Sequence, residues 1–153
     1  MKKNFHSILL LLWFVPAVLF AQKIESAIGT VTEVKGSSSF RDEKTDKWQN
    51  VLLRQKVKNG TKLKTGNDGF IRVEFVDKNI IELESSSQIE LQISKTDASQ
   101  QIMLFFGKVW NRVQTITSEN SKYQVHTTTA IGGVRGTEFT VASGPDASTQ
   151  IVV

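Results

Sequence analysis

Apolar and polar positions alternate with a period of two through the middle of the chain. Ile71, Val73 and Phe75 alternate with Arg72 and Glu74, Ile81 and Leu83 with Glu82 and Glu84, and Ile89, Leu91 and Ile93 with Glu90 and Gln92. A strand sends successive side chains to opposite faces, so each run predicts a strand with one dry face and one wet face. Val76-Asp77-Lys78-Asn79 and Ser85-Ser86-Ser87 separate the runs and carry turn chemistry. Weaker strand patterns flank this block at 29–34, 55–64, 102–106, 108–113, 123–128 and 138–142. The polar stretches 37–47 and 94–101 read as loops, and neither is long enough to separate two domains.

Short strands at regular spacing predict an all-β fold. The near-constant spacing of Ile71, Ile80 or Ile81, and Ile89 favours a short-stranded β-solenoid or β-roll whose turns stack, with a β-sandwich as the alternative. Composition agrees with the class. Residues 22–153 hold 13 Val, 11 Ile and 14 Thr against 6 Leu and 5 Ala, a balance that suits pleated surfaces and starves helices.

The first 21 residues are different in kind: Lys2 and Lys3, an apolar run from Ile8 to Phe20 broken by Pro16, and Ala21 before Gln22. This is the pattern of a signal peptide cleaved after Ala21. The run is shorter than the roughly 20 residues of a membrane span, which makes a retained anchor the second choice. Removal leaves one domain, 22–153, with 17 Lys+Arg against 15 acids, so the basic character of the whole chain is partly that of the leader. The absence of Cys excludes a disulfide scaffold and thiolate metal sites. A periplasmic or secreted protein is expected, and export removes the usual nucleic-acid reading of a basic chain.

Candidate chemistry is sparse. Glu74, Glu82, Glu84 and Glu90 lie on the wet faces of successive strands and could reach glycosidase spacing, but a solvated stripe paired with Arg72 or lysines is the stronger reading. His126 is alone after cleavage and reads as an ordinary strand residue, with no Gly-x-Ser-x-Gly elbow to partner it. Lys56, Lys58, Lys62 and Lys64 form a local basic cluster, best read as a solvated edge. Trp48 and Trp110 are ligand platforms or core anchors, the second being expected, and Phe105-Phe106 puts a ring on each face of a strand. Gly132, Gly133 and Gly136 bracket Arg135 and predict a bulged corner. The guanidinium of Arg135 is expected to tie down neighbouring carbonyls, with Glu138 or another acid balancing its charge, rather than to bind a ligand.

With the run Gly133-Val134-Arg135-Gly136-Thr137-Glu138-Phe139 near its end, the stretch from about Ile28 to Val141 resembles the FecR domain family. The most specific piece is Val134-Arg135-Gly136-Thr137-Glu138-Phe139, with Gly133 before it. Trp48, Leu52, Gly60, Thr65-Gly66 and Gly107-Lys108-Val109 match further landmarks in order. Two positions depart from the pattern: Lys78-Asn79 follow Asp77 where the family usually has Asp-Gly, and Thr128 stands where Pro is common. The resemblance implies an envelope module of surface-signalling regulators. It does not carry over the family's sigma-factor role, because only a leader precedes the domain. The chain stops at Ile151-Val152-Val153 within a strand pattern, which fits a docked strand or, as expected here, a chain cut short.

The sequence therefore reads as a non-catalytic exported binding or scaffolding module with no cofactor and no metal, whose partner is an envelope protein or a cell-wall glycan. A sensor part lacking its cytoplasmic half and a small glycan hydrolase are the alternatives. If Arg135 is structural, Arg135→Ala lowers the melting temperature sharply; an unchanged thermal melt would place the residue at a functional surface instead.

Overall fold

The computed structural model describes residues 26–94, 99–114, 122–134 and 136–153 and, of Val134, the backbone alone. The expected leader at 1–21 and Arg135 lie outside the described residues. Among the described residues thirteen strands form and there is no helix. They are β1 (Gly29–Lys35), β2 (Ser38–Arg41), β3 (Gln49–Asn50), β4 (Lys56–Val57), β5 (Lys62–Thr65), β6 (Phe70–Phe75) and β7 (Ile80–Leu83). After these come β8 (Gln88–Ile93), β9 (Gln100–Arg112), β10 (Tyr123–His126), β11 (Ile131–Val134), β12 (Glu138–Ser143) and β13 (Thr149–Val152).

The all-β class is as the sequence predicts, and the nine-residue rhythm has a different origin from stacked coils. Coils of a solenoid pair in parallel, whereas here every ladder is antiparallel except β9 with β10. Ile71 faces Leu83 and Ile81 faces Val73 within one hairpin, while Ile89 belongs to a different part of the sheet, opposite Leu63 and Leu104. A four- to six-residue strand plus a short turn gives the same rhythm as a stacked coil, so spacing alone does not separate them.

The strands make one sheet folded over on itself into two leaves. The first leaf runs β4-β1-β6-β7-β9-β12-β13 and the second β3-β2-β5-β8-β9-β10-β11. Inward positions of both leaves form a single core, with Val31, Ile71, Val73, Ile81, Leu83 and Val109 on one side and Leu63, Ile89, Leu91, Ile102, Leu104 and Val125 on the other. Tyr123 of the second leaf meets Phe139 of the first edge to face at 6.2 Å between ring centroids. Its hydroxyl donates to Asn111 Oδ1 at 2.8 Å, and the Asn111 amide donates to the carbonyls of Val109 and Phe139. Burial, reinforced by the charge of Asp77, pushes the Tyr123 phenol far above its ordinary range, so it stays a donor.

Four stretches of chain pass from leaf to leaf along one rim: β1 into β2, β5 into β6, β7 into β8, and β9 within itself. Sequence reading makes 102–106 and 108–113 two strands; they are one strand, bent at Gly107. Gly107 has φ +91°, and a Cβ there would overlap Ser87 Oγ and stand 2.5 Å from Ser87 Cα. The Ser87 hydroxyl accepts from Lys108 N at 2.8 Å and donates to Ser85 O at 3.0 Å. Thr65, 2% exposed, donates to Glu84 O and accepts from Ser87 N at 3.0 Å. Gly66 completes the crease, its N–H donating to Ser37 O at 2.7 Å and its carbonyl accepting from Ser86 N at 2.8 Å.

The opposite rim is tied by a polar knot. Asn79 Nδ2 donates to Asp77 Oδ2 and to Gln100 Oε1, while Gln100 Nε2 donates to Asp77 Oδ2 at 2.6 Å, joining the β6–β7 turn to the start of β9. Lys78, which stands where the resemblance expects Gly, takes φ +70° in that turn. The stretch 55–64 is two strands rather than one, because Gly60, with φ +78°, turns the chain from β4 on the first leaf to β5 on the second. The loop expected at 37–47 contains β2, whose single apolar residue, Phe40, is too little to show a period.

Gly107→Ala is expected to cost about 3 kcal/mol or more, since it combines a left-handed backbone with steric overlap at buried Ser87. Ser87→Ala, which only strips hydrogen bonds, is expected to cost about 1–3 kcal/mol. Urea denaturation midpoints of the two variants check both the sizes and their order.

Candidate functional site

Charge is unevenly spread over the outer faces. On the first leaf Arg72 stands between Glu33 and Glu82, bonding Glu82 at 2.6 Å, and Lys35 bonds Glu33 at 2.7 Å. Lys78 pairs with Glu74, Lys108 with Glu84 and Arg112 with Glu138. Hydrogen bonds from Lys35, and the nearby Arg72, hold the Glu33 carboxyl below its ordinary range. On the second leaf Lys62 pairs with Glu90 at 3.3 Å. Thus Glu82, Glu84 and Glu90 each face a cation on another strand and Glu74 is paired with Lys78 in the following turn, as the stripe reading expects.

The remaining candidates are scattered. Lys56 lies on the first leaf, bonded to Thr30 Oγ1 at 2.8 Å, while Lys62 and Lys64 lie on the second, so the lysine cluster is not one patch. Trp48 and Trp110 are not core anchors. Trp48 is 38% exposed under the Arg41 guanidinium, and Trp110 is half-buried on the outer face with Arg112 5.2 Å from its ring centre. Both sit at outward or loop positions where a stacked guanidinium covers the ring in place of core. His126 lies in β10, 3.2 Å from Gln124 Oε1, and no group of three His, Cys, Asp or Glu able to hold a metal occurs among the described residues.

The signature residues form the link from β11 to β12. Gly132 and Gly133 are regular ladder positions opposite Val125 and Gln124, so no bulge falls at these two glycines, while Arg135, at the centre of the expected corner, lies outside the described residues. Gly132 is instead a close-approach point, with Ile151 Cδ1 3.0 Å from where its Cβ would be. The turn comes at Gly136, φ +68°. Val134 pairs with Tyr123, the Thr137 carbonyl accepts from Val113 N at 3.0 Å, and Phe139 is buried. Glu138 is already bonded to Arg112, at 2.7 Å.

A contrasting surface lies on the second leaf. The strand positions 100–106, 123–126 and 131–134 contain no Asp, Glu, Lys or Arg, and neither does β13. Phe105 and Phe106 are 36% and 38% exposed, because the ladder slips between Gln88 and Ile89 as β9 approaches its bend. Both rings therefore reach the surface, where sequence reading placed one on each face. The edges of the two leaves present Ile131 at 63%, Ile151 at 43% and Val152 at 64% exposure. The opposite edges, β3 and β4, are two residues long. The docked-strand reading of the last residues describes β13, which pairs with β12 from Thr149 to Val152.

Sequence reasoning missed the outward glutamines of this surface, Gln92, Gln101 and Gln124. Their neutral side chains give no charge or aromatic signal, and only the pairing register sets them side by side.

No curated protein and no solved structure matches the chain. The family model described as FecR protein matches residues 61–153, which include Thr65, Gly66, Ser87 and Gly107 of the crease, the neutral surface and the Val134–Phe139 signature. Trp48, Leu52 and Gly60 lie upstream of the matched stretch, on the loops joining strands that complete the same two leaves. The chain belongs to the FecR family.

Proposed function

We propose that this protein is an exported, non-catalytic recognition module of the cell envelope, working through the neutral surface around the β11 and β13 edges. The observation that carries the reading is the partition of charge. The outer face of the first leaf is a lattice of ion pairs that leaves little for a partner to bind, and the other sheet edges are short and blunted. The β11 and β13 edges are longer, uncharged and apolar, and they combine open backbone groups with Ile131, Ile151 and Val152. Such a surface supplies main-chain pairing and apolar contact without bond chemistry.

FecR membership favours a second reading, the periplasmic sensor part of a surface-signalling regulator. N-terminal sequencing of the protein recovered from cells separates the two: a chain starting at Gln22 supports a released module, and a retained Met1–Phe20 segment supports an anchored sensor.

The recognition reading predicts that the protein sediments with envelope fragments, and that Ile131→Lys combined with Val152→Lys moves most of it to the soluble fraction. Both residues are exposed, so melting should shift by only a few degrees. A wild-type protein that does not sediment, or a folded variant that sediments equally well, overturns the reading.

A further inference from the structure

The outer face of the second leaf carries an ordered row of carboxamides. Gln92 of β8 faces Gln101 of β9, Gln101 faces Gln124 of β10, and Gln124 faces Gly133 of β11. All three glutamines point outward, since the alternating residues Leu91, Ile102 and Val125 are core. Neighbouring strands lie about 4.8 Å apart, so the row places one amide per strand across three strands. It ends at an open position, because a Cβ at Gly133 would meet nothing closer than 3.7 Å. Gln92 donates to Glu90 and Gln124 lies against His126, but the Gln101 carboxamide in the centre has no hydrogen bond among the described residues. Along β9, Met103 and exposed Phe105 follow Gln101 on the same face, bordered by the Lys62–Glu90 ion pair: Glu90 stands opposite Met103, and the Lys62 ammonium lies 5.8 Å from the Phe105 ring centre.

We propose that this row binds an extended, uncharged glycan rich in N-acetylated sugars, lying across the strands of β8, β9, β10 and β11. The proposal rests on the recognition reading and names the chemistry of the partner. The interstrand step is close to the length of one sugar ring in an extended chain, so each amide faces one sugar. A carboxamide both donates and accepts, as do hydroxyl and acetamido groups, which suits this row to a ligand with mixed polarity at every step. Sugar C–H faces and acetamido methyl groups find Met103 and Phe105 beside the amides. β10, β11 and the 100–106 part of β9 carry no Lys or Arg, and Lys62, which lies over the Phe105 ring, is already paired with Glu90, so an anionic glycan finds little to favour it. A peptide strand would add along an edge, parallel or antiparallel to the strands, and not run across a face.

Tetra-N-acetylchitotetraose, titrated into the mature protein, is the probe, with side-chain NH2 signals in nitrogen-15 spectra as the readout. The signals of Gln92, Gln101 and Gln124 should shift together, with sub-millimolar affinity. Gln101→Glu and Phe105→Ala should each weaken binding about tenfold at unchanged melting temperature. Glu74→Gln, on the outer face of the first leaf, should bind as wild type. Protein-free peptidoglycan sacculi should capture the protein and lose it on addition of the tetrasaccharide, while polygalacturonate should not compete. No shift in the folded wild-type protein overturns the proposal, as does undiminished binding by folded Gln101→Glu. If the tetrasaccharide fails while Ile131→Lys with Val152→Lys still releases the protein from envelope fragments, the glycan assignment falls and the recognition reading stands.

Discussion

The contact between Ser87 and Gly107 is the constraint on which the two-leaf shape depends. Four stretches of chain must turn out of one leaf into the other at the same rim, and each turn strands backbone groups that a flat sheet would have paired. Ser87 reaches the backbone on both sides of the bend because Gly107 leaves its space empty. Thr65 does the same one strand further along. With these hydroxyls, and the Asp68 carboxylate accepting from Ser37 N, the backbone of the crease is paired and the two apolar faces close on each other. Without the Ser87 hydroxyl, Lys108 N would be left without its partner at the bend.

This arrangement decides what could be read in advance. The strands around 71–93 are legible because their alternation is strict, and burial follows it residue by residue. Which leaf a strand joins is not legible, since a strand of either leaf has the same dry and wet faces. The bend in β9 shows in sequence only as a glycine between two strands, and β2 is too short and polar to show at all. The tryptophans mislead for a related reason: size argues for burial, but Trp110 occupies the outward parity of β9 and finds Arg112 there. The candidate site divides in the same way. The exposed phenylalanines are visible in the string, whereas the glutamines come together only through a register that depends on the crease.

The partition of charge has a physical consequence of its own. A lattice such as Lys35-Glu33-Arg72-Glu82 is close to neutral overall and keeps its side chains engaged with one another. It holds the sheet face hydrated and discourages strand-to-strand association there. The neutral surface lacks that protection, and natural proteins rarely leave such a patch open without a use for it. Membership of the FecR family fits this division, since the matched stretch contains the strands that build the neutral surface.

Strand β9 is hydrogen bonded to β8 and β10 in one leaf and to β7 and β12 in the other. Residues 100–106 serve the second leaf and 107–112 the first, so the two leaves are coupled through the bend at Gly107 and through the core they share. Opening one leaf uncovers the apolar face that the other packs against, which disfavours a half-folded state between native and unfolded chain. In amide hydrogen exchange this appears as a single slow class, in which residues of β7 and β8 exchange at the same rate although they belong to different leaves.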